Sequence, residues 1–264
     1  MVIMLGGLMG LAAGCFSRAL NPEMARAPQG MKDYLVANYD SDLGLVRESP
    51  NVNPNVYWLY SDNYLVSLAL KEAEPDIASA IVQAIDGYQF RPSERWRVLG
   101  GQAVPGDLFA MGTVPAVITT QGSKEVRSEI PSTLLHMEDW QEYADRLLPA
   151  AINASNRGDR KENRSLFEKA QGMFDGLGFK DRAFREPGYY DTYKLALYLI
   201  AAGGVGMNTP QKQEIVNLLL SLQEKDTASN RYGGVYTEYD GSGKPLPHSD
   251  TNTETTALAL LALK

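Results

Sequence analysis

The chain alternates between helical segments with one apolar stripe and helical segments that are apolar on nearly every face. Apolar positions three and four residues apart, the spacing of an amphipathic helix, recur in four segments. They are the stretch that begins at Met31 with Tyr34 and Leu35, and the stretches Ile77 to Tyr88, Ser165 to Phe174 and Gln211 to Gln223. Such helices cover a core from outside, so we expect these four to be outer helices.

Three further segments are apolar nearly all round. SDNYLVSLAL, YDTYKLALYL and TETTALALLAL follow the glycine-containing turns GLVRES, GLGFKDR and GGVYTEY after polar loops of variable length. A helix that is apolar on all faces must be buried on all faces. The copies therefore predict a repeated pair of outer and inner helices, in which each pair buries its neighbour.

Aligning the copies assigns one structural position to three acidic residues, Asp62, Asp191 and Glu254. In the first copy, Ser61 or Asp62 is a suitable cap for a helix whose body is Tyr64 to Ala73. A degenerate fourth copy before WQEYADRLL adds Asp139 to the set. That copy opens another helix, which Pro149 is expected to kink or end.

The middle of the chain, residues 89–130, has a different pattern. Its apolar run is interrupted by Gly112 and Pro115, and Val117 to Ile130 alternates around Gln121-Gly122-Ser123 as a β-hairpin does. We expect an irregular insertion with a small hairpin, packed over a helical body.

The paired helices and the units of type GLxxx followed by D/E-T-x-x-ALALxAL resemble the α/α-toroid superfamilies. These include six-hairpin glycosidases, polysaccharide lyases, uronyl epimerases, terpenoid cyclases and prenyltransferases. The resemblance covers Met31 to Lys264. It implies a mainly all-α fold, a complete or incomplete toroid of inner and outer helices, with residues 89–130 as the insertion.

The N-terminal residues suggest export. Val2 to Ala13 is an uncharged apolar run too short to span a bilayer as a helix. LAAGC at Leu11 to Cys15 resembles the lipobox of prokaryotic lipoproteins, which implies a signal segment over residues 1–14 and lipid attachment at Cys15. Residues 15–30 are then expected to be a tether, and residues 31–264 the domain. The alternative is an uncleaved apolar tail with an inert Cys15.

Composition and charge limit the classes of binding partner to expect. The net charge is −7, and the 25 Lys and Arg are scattered without a basic cluster, so a nucleic-acid partner is not expected. A membrane, through the lipid anchor, and a glycan are the expected partners. Nothing in the sequence indicates an oligomeric state.

The N-termini of the inner helices of a toroid point to one mouth. The resemblance therefore implies that Asp62, Asp191 and Glu254 gather at its rim, where paired carboxylates serve as acid and base on a sugar. We expect these three to be catalytic. The alternative is that acids at helix starts only cap free N–H groups and complement the helix dipole.

Aromatic and polar neighbours of these acids are the expected substrate-binding residues: Tyr57, Trp58, Tyr60, Asp139, Tyr189, Tyr190 and His248. The alternative for the aromatic residues is core packing. For His248, as for His136, it is an exposed loop position.

No metal or other cofactor is expected, because the chain has no H-E-x-x-H motif, clustered Cys and His, phosphate loop or serine elbow. The leading hypothesis is an exported, lipid-anchored protein of the cell surface or periplasm that binds a carbohydrate polymer. If it is an enzyme, it is a glycosidase, lyase or epimerase. The alternative is a non-catalytic cell-surface scaffold or protein-interaction module. Isoprenoid chemistry ranks third, since no Asp-rich diphosphate motif is present.

Overall fold

The computed structural model describes residues 22–88, 94–185, 187–207, 209 and 211–264. The predicted signal segment and Cys15 lie outside these described residues. Within them, the α-helices are α1 Pro22–Ala37, α2 Leu65–Leu70, α3 Pro75–Gly87, α4 Ala144–Asn156, α5 Arg160–Gln171, α6 Thr192–Val205, α7 Lys212–Ser221 and α8 Thr253–Ala262. A six-residue π-helix, Leu59–Tyr64, leads directly into α2. Short 3₁₀ helices lie at Arg95–Gly100, Gly106–Phe109, Trp140–Glu142 and Ala183–Arg185.

The strands form one three-stranded sheet and three two-stranded ones among the described residues. In chain order they are β1 Tyr39–Asp40, β2 Leu45–Val46, β3 Val56–Trp58, β4 Met111–Gln121, β5 Lys124–His136, β6 Tyr190–Asp191, β7 Val235–Tyr236, β8 Glu238–Tyr239 and β9 Thr251–Asn252. The larger sheet has the order β3-β5-β4, and the small sheets pair β1 with β2, β6 with β8, and β7 with β9.

The expectation of a mainly all-α toroid is wrong. About 48% of the chain is helical and 18% is strand, which makes the fold mixed α and β. The predicted hairpin is present around Gly122, but it is longer than expected, and β5 also pairs in parallel with β3. Two of the glycine-containing turns contribute two-residue strands: GLVRES contains β2, and GGVYTEY contains β7 and β8. Pairing gives the backbone groups of these connections partners beside a buried core.

The core is built around α6 and α8, which are buried on nearly all faces as their apolar sequences predict. α8 packs against α1, α2 and α6, and α6 also packs against α4, α5 and α7. The stripes of α3 and α5 face inward with Ile81 and Phe167, both fully buried. The outer and inner roles of these helices therefore follow from their hydrophobic patterns.

Helix α1 begins at Pro22, inside the segment expected to be a tether. It is docked on the body by Gln223, whose side-chain amide donates to the carbonyl of Ala27 at 2.9 Å. Gly30 packs against Gly233 closely enough that a Cβ on Gly233 would lie 2.0 Å from the Gly30 oxygen. Within the described residues, no helix combines the length and apolarity that crossing a bilayer requires.

Candidate functional site

The π-helix and the start of α8 are fastened to one short stretch of chain at and just after β2. Asn63, which is fully buried, accepts from the N–H of Val46 at 2.6 Å and donates to its carbonyl at 3.0 Å. Thr253 donates its N–H to the carbonyl of Glu48 at 2.8 Å. The residues beside Asn63 and Thr253, Asp62 and Glu254, are thereby brought into one region.

Asp62 is a buried carboxyl group with an unsatisfied oxygen. Only 2% of the residue is exposed, and its Oδ2 has no hydrogen-bond partner. Burial raises the pKa of Asp62 well above its usual range, and the charges of Glu254, Glu48 and Glu129 raise it further. A wide π-turn holds this residue, a geometry that often occurs at functional sites.

Glu254 lies in the first turn of α8 and keeps part of its surface accessible. Burial nevertheless raises the pKa of Glu254 to about 8, with the charge of Glu129 adding to the effect and Arg95 opposing it. Helix α8 and strand β5 both pack against the π-helix that bears Asp62, and we call this region the recess.

Strand β5 brings Glu129 to this recess. The strand pairs with β3 as far as Trp58 and Arg127, continues beyond that pair, and contacts the π-helix that follows β3. Glu129 lies two residues past Arg127 and acts electrostatically on both Asp62 and Glu254. The parallel pairing of β3 with β5 is therefore what positions this acid.

The first 3₁₀ helix begins with Arg95, and Glu94 directly precedes it. Glu94 is 2% exposed, and burial raises its pKa to about 7 although the charge of Arg95 opposes this. Burial alone would lower the pKa of Arg95, but the surrounding carboxylates raise it overall: Glu129, Glu94, Asp145 and Glu254. Hydrogen bonds from Asn156 to the carbonyls of Val98 and Gln102 hold this segment against α4.

The starts of α4 and α6 complete the site. Asp145 and Arg146 are near the N-terminus of α4, and the guanidinium of Arg146 donates to the carbonyl of Met111 at 3.0 Å. Tyr193, in the first turn of α6, is partly accessible, and burial raises its pKa well above the usual range. The charges of Asp145 and Glu254 add to that increase.

We call Asp62, Glu94, Glu129, Asp145 and Glu254 the acid cluster. Its neighbouring cations are Arg95 and Arg146. Among the described residues, six buried polar side-chain atoms lack a hydrogen-bond partner: Arg47 Nε, Asp62 Oδ2, Arg95 Nε, Trp96 Nε1, Ser128 Oγ and Thr192 Oγ1. Two of these, Asp62 Oδ2 and Arg95 Nε, belong to the acid cluster and its neighbouring cations. Because buried polar groups are nearly always satisfied, these two atoms mark the cluster as a candidate binding site.

Asp191 lies beside the acid cluster and forms an ion pair with Lys194. Lys194, 1% exposed, contacts Asp191 Oδ2 and Asp181 Oδ2 with its Nζ, both at 2.8 Å. Asp181 is also buried and accepts from the backbone N–H of Ala144 at 2.9 Å, the first residue of α4. This network holds the N-termini of α4 and α6 together.

None of the three predicted acids makes a side-chain capping bond, although each lies at the start of a helix, where a carboxylate complements the helix dipole. Asp62 lies inside the π-helix, and Asp191 precedes α6 without a side-chain capping bond. Asn252 caps α8 by accepting from the N–H of Thr255 at 2.9 Å. The structural equivalence inferred from the repeat therefore holds only approximately, since the three acids occupy different helix positions.

Three of the predicted substrate-binding aromatic residues belong to the core. Tyr57, Tyr60 and Tyr190 are 1%, 6% and 5% exposed, which leaves almost no ring surface for a ligand. The hydroxyl of Tyr57 donates to Asp40 at 3.0 Å, and that of Tyr190 donates to Asp175 at 2.6 Å. This burial fits the alternative considered for them, core packing, and the hydroxyls of Tyr57 and Tyr190 have hydrogen-bond partners there.

The other predicted residues lie at or near the surface. Trp58 is partly accessible, donates to Glu48 at 2.8 Å, and lies beneath the guanidinium of Arg127. Tyr189 is partly accessible and packs edge-on against the exposed ring of His248. Asp139 forms an ion pair with Arg182. His136 is exposed at the end of β5.

Sequence reasoning missed six residues of this region: Glu94, Arg95, Glu129, Asp145, Arg146 and Tyr193. Asp145 and Arg146 lie within the degenerate fourth copy, WQEYADRLL, and Tyr193 follows Asp191 in the second, so the repeat held a signal for these three. Glu94, Arg95 and Glu129 belong to the region treated as an insertion, and no local pattern distinguishes them.

Two surface pockets have no lining residue in the acid cluster. One, of about 530 Å³, lies between α1 and α7 and is lined by Gly30 and Leu220 among others. The other, of about 460 Å³, is lined by Arg231, His248 and Asp250 among others. Neither contains a buried polar atom without a partner, so we place the candidate site at the acid cluster.

Among the described residues, no group of three or more His, Cys, Asp or Glu is arranged to hold a metal ion. Comparison with known protein families, curated protein sequences and solved structures finds no match to this chain.

Proposed function

We propose that this protein is a carbohydrate-active enzyme that acts on a glycan by general acid–base catalysis, with Glu254 as the acid and Asp62 as the base. The observation that carries this proposal is the unpartnered, buried Oδ2 of Asp62 in the π-helix, which packs against the helix that bears Glu254. Cleavage or rearrangement at a glycosidic carbon needs one carboxyl group that donates a proton and another that accepts one.

We assign the roles by accessibility, since burial raises the pKa of both groups. With its pKa near 8, Glu254 retains a proton at neutral pH, and its accessible edge can reach a substrate. Asp62 is the more buried of the two and, once ionised, the stronger base because burial raises its pKa. Asp191, held by Lys194, is a third candidate at the edge of the recess, for contact with a substrate hydroxyl.

The experiment is turnover of a panel of neutral, acidic and amino-containing polysaccharides by the full chain, followed by chromatography and mass spectrometry of the products. Asp62→Asn and Glu254→Gln preserve shape, and each is expected to lower the rate at least about 100-fold. Glu72→Gln, at an exposed position, is the matched control. Unchanged rates in both site variants, or no turnover of any polysaccharide, would contradict the proposal.

For location, we propose export and lipid attachment at Cys15, on the strength of the LAAGC sequence. The test is expression in a bacterium with a labelled fatty acid. Label should appear in the wild-type chain and be absent from Cys15→Ser. Equal labelling of both chains, or of neither, would refute the anchor without affecting the assignment of the recess.

A further inference from the structure

The surface pocket of about 460 Å³, which we call the loop pocket, is lined by residues 51–52, 229–231 and 247–250. Its polar side chains are held by one another. The carboxylate of Asp250 accepts from the hydroxyl of Ser49 at 2.7 Å and from the amide of Asn51 at 3.3 Å. The amide oxygen of Asn51 accepts from the Nδ2 of Asn230 at 2.7 Å. An amide has two N–H donors and an oxygen with two lone pairs, so both amides keep capacity for a ligand.

The guanidinium of Arg231 lies between two carboxylates of this region. Its Nη1 is 3.8 Å from Asp250 Oδ1, its Nη2 is 3.6 Å from Glu224 Oε2, and its Cζ is 5.5 Å from the ring centre of Tyr236. Both N···O distances exceed those of hydrogen bonds, so N–H donors of this fixed group are available to a ligand. Because two carboxylates already balance its charge, an anionic ligand gains little attraction here. The loop pocket therefore suits an uncharged, hydrogen-bonding ligand.

The rim of the loop pocket provides apolar and aromatic surface. Val52 is 64% exposed, and Pro247 and His248 are exposed on the same pocket. The ring of Tyr189 packs edge-on against that of His248, with 6.1 Å between the ring centroids. Ligand pockets combine such surface with a few placed polar groups. A sugar ring matches this combination, because it presents hydroxyl groups at its edge and C–H groups on its faces.

One side of the loop pocket is continuous with the stretch that carries Glu254. The bond from Ser49 to Asp250 is next in the chain to the bond between Glu48 and Thr253, whose N–H donates at 2.8 Å. Thr253 is followed directly by Glu254. With four residues between their positions, the Cα atoms of Asp250 and Glu254 are at most about 14 Å apart.

The other side of the loop pocket borders the start of α6. The Nε2 of His248 is 3.4 Å from Glu238 Oε2, and Glu238 pairs with Asp191 across strands β8 and β6. Residues directly opposite one another in an antiparallel pair have Cα atoms about 4.5–5.5 Å apart. The loop pocket therefore lies beside Asp191, at the edge of the recess.

We propose that the loop pocket binds one neutral sugar unit of a glycan, next to the unit that reacts at the acid cluster. This inference rests on the proposed function and names its substrate class, a polymer of uncharged sugars. The side chains of Asn230 and Arg231 bind the hydroxyl groups of that unit, and Val52 and His248 pack against its face. The bound unit fixes the position of the polymer along the surface.

The experiment measures calorimetric binding of hexasaccharides to the full chain. The neutral probes are hexasaccharides of glucose, mannose, xylose and N-acetylglucosamine, and the charged probe is that of galacturonic acid. At least one neutral probe is expected to bind more tightly than the charged one. Asn230→Trp fills the loop pocket from an exposed position and should weaken that binding at least about tenfold. Gln83→Trp, which adds the same side chain at an exposed position on α3, is the control and should bind as the wild type does.

Asn230→Ala is a second variant, which removes the amide without adding bulk and provides the test if Asn230→Trp does not fold. Loss of about one hydrogen bond should weaken binding about fivefold. Unchanged binding in the folded Asn230 variants, an equal loss in Gln83→Trp, or binding of no neutral hexasaccharide would overturn the assignment of the loop pocket. Tighter binding of the galacturonic acid probe would overturn the neutral class.

The outcomes separate this inference from the function on which it rests. If the Asn230 variants bind and turn over the glycan as the wild type does, while Glu254→Gln loses turnover, the loop pocket is not a sugar site and the proposed function stands. If a neutral hexasaccharide binds, Asn230→Trp abolishes that binding and the chain turns over no polysaccharide, the loop pocket is a sugar site and the proposed function fails.

Discussion

The charge of Glu254 raises the pKa of Asp62, although the two residues lie near opposite ends of the described chain. The link between them is structural, because Asn63 and Thr253 bond to neighbouring residues at and after β2. A small rearrangement of that stretch would separate the two carboxyl groups. The core and the candidate site therefore depend on the same hydrogen bonds.

The stability of the protein should fall as pH rises from about 4.5 to 8, and part of that fall should come from Glu254. The pKa of Glu254 is about 8 in the folded chain and 4.5 for an unperturbed glutamate, which represents the unfolded chain. Between these values Glu254 is ionised in the unfolded chain and protonated in the folded one, so rising pH increasingly favours unfolding. Because Glu254 is partly accessible and solvent weakens its interactions, we expect the free energy of unfolding to fall by on the order of 2 kcal/mol over this range.

Glu254→Gln removes this titration and keeps the shape of the side chain. The measurement is urea unfolding at several pH values, with Glu72→Gln as the exposed control. The advantage of Glu254→Gln over the wild type should grow towards pH 8, and that of the control should not. Parallel curves for the wild type and Glu254→Gln would show that Glu254 is not desolvated.

Part of this site was predictable because it lies in segments whose order of apolar and polar residues repeats along the chain. Alignment of the apolar segments selected Asp62 and Glu254, and the helices that bear them are buried as an uninterrupted apolar sequence requires. Gln121-Gly122-Ser123 likewise marked the hairpin, since glycine readily adopts the positive φ of 62° found at Gly122.

What the sequence did not reveal depends on contacts between distant segments. Glu129 reaches the recess only because β5 pairs in parallel with β3, a non-local pairing that no short motif specifies. The all-α expectation failed for a similar reason, since strands of two residues are too short for an alternating pattern to predict. The tether expected over residues 15–30 is helical from Pro22, and α1 continues through Pro28 as α4 continues through Pro149.

Lys194→Met should destabilise the protein strongly. The ammonium group of Lys194 is buried between Asp181 and Asp191, and its loss leaves Asp181 as a buried carboxylate without its cation. Removal of one partner of a buried ion pair costs about 3–5 kcal/mol. Urea unfolding gives this difference in free energy directly.

The control for this variant is Arg164→Met, which removes an exposed ion pair with Glu168 and should cost less than about 1 kcal/mol. A second substitution, Asp181→Asn in the Lys194→Met background, should restore part of the loss, since no buried charge then remains at that position. Equal costs for Lys194→Met and Arg164→Met would contradict the buried network.

Asn63→Ala should lower stability by about 2 kcal/mol or more, because it leaves the N–H and carbonyl of Val46 without their partner. It should also reduce turnover, since Asn63 fixes the turn that carries Asp62. Urea unfolding and glycan turnover are the measurements, and Asn217→Ala, at an exposed position on α7, is the control. A loss of turnover without a loss of stability would mean that Asn63 does not fasten the π-helix.

Gly233→Ala tests whether α1 belongs to the folded body. Gly233 has a φ of 83°, and a Cβ there would lie 2.0 Å from the carbonyl oxygen of Gly30 in α1. The substitution must strain the backbone and push α1 away, so we expect a loss of at least about 2 kcal/mol and faster hydrogen exchange in α1. Gly241→Ala is the matched control, since a Cβ at Gly241 would meet no atom within 4 Å. If both variants unfold at the same urea concentration and α1 exchanges equally in both, then α1 is not docked on Gly233 and the residues from Pro22 to Gly30 behave as the expected tether.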